Sequence, residues 1–116
     1  MPNRKINRIM LISPPYTVSK DDVRRCVPPL GLIYIAALLE KNGYTVAVLD
    51  AAAEGYYNIK EENEFISYGL DDISIERAIR DFAADAVGVS CIFSSQYRNA
   101  RHMLQLIKSI DKKIIT

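Results

Sequence analysis

One stretch constrains this chain more than any other: Pro28-Pro29-Leu30-Gly31-Leu32-Ile33-Tyr34-Ile35-Ala36-Ala37-Leu38-Leu39-Glu40-Lys41-Asn42-Gly43-Tyr44-Thr45-Val46. Proline suits the first turn of a helix, where its missing N–H costs nothing. Asn42-Gly43 is a stop, because glycine readily takes positive φ. A buried strand follows. Upstream, Ile9-Met10-Leu11-Ile12 is a second apolar run, closed by Ser13-Pro14-Pro15. Strand, loop, helix and strand in that order predict a parallel sheet. In such sheets ligands settle where the strands' carboxyl ends meet the loops.

The remaining pattern continues the alternation. The first strand covers 8–13, and a long mixed loop runs from Pro14 to Val27 with the charged cluster Lys20-Asp21-Asp22-Val23-Arg24-Arg25. Long loops in small domains are usually functional or disordered. The first helix, 29–41, is apolar almost all round, whereas a surface helix shows one stripe. It is either deep in a doubly covered sheet or faces a partner domain on its second side. The second strand is 45–49. Residues 51–70 hold Tyr56, Tyr57, Phe65 and Tyr68 among glutamates and read as an ordered excursion with a helical turn. Asp71 or Asp72 caps the second helix, which ends near Ala84 and turns Ile75, Ala78, Ile79 and Phe82 inward. Ala86-Val87-Gly88-Val89-Ser90 is a third strand of the kind buried on both faces. The third helix, 96–109, faces inward through Ala100, Met103, Leu104 and Ile107. A fourth strand starts at Lys113-Ile114-Ile115.

These 116 residues make one α/β domain, 1–116, large enough for a core without disulfides or metals. A sheet that stops inside a strand leaves an open edge. The sequence is therefore expected to be part of a longer chain, and the edge to allow a homodimer. The net charge of +1, with no basic stripe, argues against nucleic acid as a partner. No segment approaches a membrane span, and none resembles a signal peptide. Cys26 and Cys91 lie far apart without metal-like spacing, so a reduced, cytoplasmic setting is expected.

Several chemistries are missing. No GxGxxG follows the first strand, and no GxxxxGK[ST] is present. The acidic residues of a phosphoryl receiver are replaced by Ser13-Pro14-Pro15 and Ser90-Cys91. The only histidine, His102, sits in mid-helix without triad partners and reads as a partly exposed helix residue. The strand ends remain. In Ser90-Cys91-Ile92-Phe93-Ser94-Ser95, hydroxyls and free N–H groups suit a polar tail, although Ser94 or Ser95 as a plain helix cap is the simpler reading. Cys91 reads as a small buried filler, without nearby cations to make it reactive. Gly31 permits close approach of a backbone or flat ligand, or else tight packing of helix on sheet.

The order and spacing of these segments resemble the cobalamin-binding domain that precedes the radical S-adenosylmethionine core in a large enzyme superfamily. That superfamily includes anaerobic magnesium-protoporphyrin ester cyclases, hopanoid methylases and phosphonate methylases. The resemblance is carried by Ile9 to Pro15, by Pro28 to Leu39 with Gly43 to Val46, and by Asp85 to Ser90; residues 56–69 match least. It implies a three-layer α/β/α, flavodoxin-like parallel sheet of order 2-1-3-4-5, truncated after the fourth strand. It places cobalamin over the strands' carboxyl ends, with the corrin near Ser13, Pro14, Pro29, Leu30 and Gly31. The nucleotide tail lies toward Ser90, Cys91, Ile92, Ser94 and Ser95, with Ser90-Cys91-Ile92 similar to the family's Ser-x-Leu position.

Two departures stand out. The loop after the first strand has no Asp-x-His-x-x-Gly, so cobalamin is expected without a protein histidine ligand, as in many radical-enzyme members. The glycine pair that follows the family's fourth strand would lie beyond Thr116, and the cysteine triplet for a 4Fe-4S cluster is absent, since Cys26 and Cys91 cannot form it. The resemblance thus assigns S-adenosylmethionine and the cluster to a carboxyl-terminal radical domain, which is the implied partner. These residues alone are not expected to catalyse methyl transfer or cyclisation. The alternative is a ligand-free flavodoxin-like docking module; a flavin domain is disfavoured because the first loop lacks a Ser/Thr-rich phosphate pattern.

Overall fold

Side-chain alternation along the central strand sets the layering. The computed structural model describes residues 6–24 and 27–116. Strand β1 (Arg8–Ser13) sends Met10 and Ile12 to one face and Ile9 and Leu11 to the other, as the two-residue period of a strand requires. Chain order then gives β2 (Tyr16–Ser19), α1 (Leu30–Lys41), β3 (Thr45–Asp50), α2 (Ala51–Glu54), β4 (Ile59–Glu62), β5 (Phe65–Tyr68), α3 (Asp72–Phe82), β6 (Ala86–Val89) and α4 (Tyr97–Ile110), with a 3-10 turn at Ser94–Gln96 before α4.

β1 lies between β3 and β6, parallel to both; Ile12 pairs with Leu49 on one side and Val89 on the other. Beyond β6, Ile115 forms a parallel bridge to Ala86, and its carbonyl accepts the Val87 N–H at 2.8 Å. Met10 and Ile12 pack with Ile75 and Ile79 of α3 and Met103 and Ile107 of α4. Leu11 packs with Leu32 and Ala36 of α1, flanked by Ile9 and Val46. Helices therefore cover both faces of the sheet. Leu104, expected inward, is 40% exposed; Leu106 and Ile110 pack against the core instead.

Helix boundaries follow local chemistry. The Asp71 carboxylate accepts the Ser74 N–H at 2.8 Å and caps α3. That helix stops at Phe82, short of the expected Ala84, because Ala83 turns left-handed at φ 55°. α1 stops at Lys41, with Gly43 at φ +92°. Its second side is uncovered: Leu30, Ile33, Tyr34, Ile35 and Leu38 are exposed. Of the two expectations for α1, a position deep in a doubly covered sheet is not met: Leu32 and Ala36 pack and the opposite side is exposed.

The larger correction concerns residues 14–27, which are not simply a loop. They contain β2, the first strand of an antiparallel sheet of order β2-β5-β4. The excursion at 51–70 supplies the rest. Asp50 caps α2 by accepting the Ala53 N–H at 3.1 Å. A two-residue turn with Asn63 at φ 54° joins β4 to β5. Two glycines clamp this sheet to the parallel one. A β-carbon on Gly55 would lie 2.1 Å from the Gly69 carbonyl carbon, and one on Gly69 (φ +141°) would lie 2.6 Å from the Pro15 β-carbon. Among the described residues no helix is long and apolar enough to cross a membrane.

Candidate functional site

β1 and β6 are neighbours whose following helices, α1 and α4, lie on opposite faces of the sheet. The chain therefore diverges just beyond Ser13 and Val89, the arrangement that opens a ligand crevice in open α/β sheets. A cleft of about 660 Å³ occurs there, lined among others by Tyr16, Thr17, Val23, Phe65, Phe93 and Arg98. One wall is β2 with the residues after it, and the other is the segment between β6 and α4.

Three local features build the cleft. Pro14 is buried at the end of β1 and redirects the chain into β2. Gln96, itself buried, ties the far wall to β2: its Oε1 accepts the Thr17 N–H at 3.0 Å and its Nε2 donates to the Thr17 carbonyl at 2.9 Å. Tyr16 stands edge-on to the buried Tyr68, ring centroids 6.1 Å apart. Burial, and secondarily the Asp50 carboxylate, raise the Tyr16 phenol above its ordinary pKa. Tyr16 is thus a neutral hydrogen-bonding group at physiological pH.

The sequence-predicted residues are distributed as follows. Ser13 is buried at the end of β1 beside Pro14. Pro29 is half-buried before α1, Leu30 is exposed, and nothing lies within 4 Å of a β-carbon built on Gly31. Gly31 therefore does not serve tight packing on the sheet; it faces open space. The Ser90 N–H donates to the Ile12 carbonyl at 3.0 Å, extending the β1–β6 ladder. Cys91 is exposed, its thiol 3.5 Å from the Phe93 carbonyl, and is not the buried filler expected. Ile92 is 68% and Phe93 60% exposed. Ser94 and Ser95 are exposed, and neither side chain caps the 3-10 turn or α4; an N–H there is free of a side-chain cap. Of these predicted positions only Ser95 lines the cleft. Cys26 lies outside the described residues.

Sequence reasoning does not find Tyr16, Thr17, Phe65, Gln96 or Arg98. Tyr16-Thr17-Val18 carries a β-forming signal, but its pairing partner is about fifty residues away. His102 is half-exposed on α4, with Nε2 2.7 Å from Asp72 Oδ2, beside a second cleft of about 500 Å³ that also takes in Lys60. Among the described residues no cluster of three His, Cys, Asp or Glu side chains is placed to hold a metal.

The arrangement suits a broad, largely apolar ligand with a polar tail. Leu30, Val23, Ile92 and Phe93 offer exposed apolar surface in the segments at the carboxyl ends of the strands. Gly31 leaves room for close approach, while Thr17, Ser95 and Arg98 supply polar groups.

Comparison with known proteins gives two matches. Residues 16–116 match the B12 binding domain family. The chain is also 42% identical, over 116 residues and 97% of its length, to the cytidylyl-2-hydroxyethylphosphonate methyltransferase of Streptomyces wedmorensis. It spans only 22% of that relative. No solved structure matches.

Proposed function

Since this chain belongs to the B12 binding domain family, we propose that it binds cobalamin over the carboxyl ends of β1 and β6, on behalf of a longer methyltransferase. The observation that carries this reading is the exposed apolar pair Ile92 and Phe93, set across the switch point from Leu30 and the open Gly31. Large apolar side chains left in water next to a crevice mark a binding surface. The residues fit the group: apolar side chains for a corrin face, a glycine without neighbours, and hydroxyls and an arginine for polar substituents. The one histidine of the sequence, His102, lines the other cleft beside Asp72, so the residues of this cleft would hold the cofactor by surface contact.

Cobalamin, when bound, supplies a carrier for a methyl group; the hard chemistry is the cofactor's. The chain's residues bind and orient. Ile92, Phe93 and Leu30 exclude water from one side, Ser94 and Ser95 with their uncapped turn receive polar groups, and Tyr16 presents a neutral phenol. Methyl transfer is favoured over cyclisation because the 42% identical relative is a methyltransferase. The remaining four-fifths of a protein of that length would carry the radical S-adenosylmethionine domain with its 4Fe-4S cluster. It would also complete a flavodoxin-like 2-1-3-4-5 sheet. The uncovered face of α1 is its proposed contact, and a homodimer through the sheet edge beyond Ile115 is the competing arrangement. The setting proposed is cytoplasmic.

Anaerobic titration of the full-length protein with hydroxocobalamin, followed by absorbance, tests the proposal. A saturable spectral change supports it. An unchanged spectrum rejects it and leaves the docking-module reading, in which α1 contacts a partner without any cofactor.

A further inference from the structure

The wall of the cleft formed by Asp22 and Val23 continues directly into Arg24, and Arg24 turns away from the cleft. Its Nη1 donates to the Tyr56 carbonyl at 2.9 Å. Its guanidinium carbon lies 4.4 Å from the centre of the Tyr56 ring and 5.8 Å from that of Tyr68. Tyr56 is held in turn, with Tyr68 edge-on at 5.6 Å and Tyr57 at 5.2 Å. Tyr68 is fully buried and reaches Tyr16 on the cleft side. An arginine that both stacks on an aromatic face and donates to a fixed carbonyl loses much of its freedom. The backbone of Asp22 and Val23 before it is restrained with it.

The rest of the segment has lighter anchors. The Lys20 N–H donates to the Glu64 carbonyl at 2.9 Å and the Asp22 N–H to the Ser19 carbonyl at 3.0 Å, both before Arg24. Val23 and Val27, on either side of Arg24, are 70% and 69% exposed, so their packing does not fix the wall. Tyr56 belongs to the segment between α2 and β4 and does not line the cleft. The nearer ring under Arg24, that of Tyr56, and the carbonyl Arg24 donates to thus stand outside the cleft, while the farther ring, that of Tyr68, lines it.

We infer that Arg24 is a positioning residue for the cofactor cleft, fixing the Asp22–Val23 wall by stacking on Tyr56. The inference rests on the cobalamin reading and adds a specific dependence: a tyrosine that does not line the cleft controls affinity through Arg24. The Tyr56 hydroxyl is not required, because the ring face and the backbone carbonyl make the contact.

The experiment is a double-mutant cycle in the full-length protein with hydroxocobalamin as probe. Arg24→Ala and Tyr56→Leu each weaken binding by about threefold to tenfold. The double variant is no weaker than the worse single one, since both remove the same contact. Tyr56→Phe binds like the wild type. Arg24→Lys falls between, keeping charge without the planar fork. Without cofactor, Tyr56→Leu is cut faster by trypsin at Lys20, and Tyr56→Phe is not. Wild-type binding with additive or absent effects overturns the Arg24 role and leaves the cobalamin reading standing. Absence of binding by the wild type overturns both.

Discussion

Gln96 finishes β2 from the side. Its amide takes the Thr17 N–H at 3.0 Å and returns an N–H to the Thr17 carbonyl at 2.9 Å, as a neighbouring strand would. Asn99 braces the contact, donating to Gln96 Oε1 at 3.0 Å and to Thr17 Oγ1 at 3.1 Å. The antiparallel sheet is thereby joined to the start of α4, and the two walls of the cleft become one unit.

Loss of that amide strands two polar groups of Thr17. Gln96→Ala is expected to cost about 1–3 kcal/mol of stability, the range for unpaired buried groups. Gln96→Glu is expected to cost at least as much near neutral pH. A carboxylate can accept the Thr17 N–H, but it sets a second acceptor against the Thr17 carbonyl. Urea unfolding followed by circular dichroism measures both; a midpoint shared by Gln96→Glu and the wild type would count against this account.

Gly69 admits no side chain. Its backbone stands at φ +141°, and the Pro15 β-carbon lies 2.6 Å from where a β-carbon on Gly69 would be, so Gly69→Ala combines strain with a clash. The expected loss is about 2–4 kcal/mol. Gly55→Ala is expected to be no milder, because its obstacle is the Gly69 backbone rather than a side chain. By contrast, Gly88→Ala meets only the Leu11 side-chain tip at 2.9 Å. Thermal unfolding should therefore rank Gly88→Ala as the mildest of the three.

Asp71 gives a pH dependence of known sign. Hydrogen bonds from Ser74 hold its carboxyl below the usual carboxylate range. A pKa lower in the folded state means that the stabilisation is present above the unfolded-state value and fades as pH falls through the folded one. Asp71→Ala is expected to unfold at lower temperature than the wild type at neutral pH. The gap should narrow as pH drops below about 4. A gap of constant size down to acid pH would contradict the cap.

Ile92 and Phe93 separate binding from folding. Both are exposed, so Ile92→Ser with Phe93→Ser should leave the melting temperature within about two degrees of the wild type. If a corrin covers them, the same pair of changes weakens hydroxocobalamin binding by about tenfold or more. Unchanged affinity in the titration would move the ligand elsewhere.

The parallel sheet was legible because its signals are local. Ile9 to Ile12, the run from Pro29 to Gly43 and Ala86 to Val89 each carry strand or helix character without help from distant residues. Asp71 as a cap could be read for the same reason. The second sheet could not. β4 is Ile-Lys-Glu-Glu, exposed throughout, and has no apolar alternation to betray a strand. β2 is four residues long and gains its identity from Phe65 to Tyr68. Asn63, able to take positive φ, was the one turn signal available. Cys91 misled because small apolar residues precede it; the strand ends at Val89, and Cys91 already belongs to the exposed connection.

The antiparallel sheet draws β2 from one crossover and the β4–β5 hairpin from the next, with Tyr16 paired to Tyr68 across fifty-two positions of chain. Pairing at that separation carries a large loop-closure cost, which is met only after other contacts have brought the ends together. The β1–β3 unit, whose crossover carries β2 and α1, pairs Arg8 with Thr45 across a shorter thirty-seven positions. The β2–β5 pairing is therefore expected to follow the β4–β5 hairpin and the β1–β3 pairing, so that the β2 wall of the crevice forms after them. Substitutions at Thr17 or Ser67 should accordingly speed unfolding and leave the refolding rate nearly untouched.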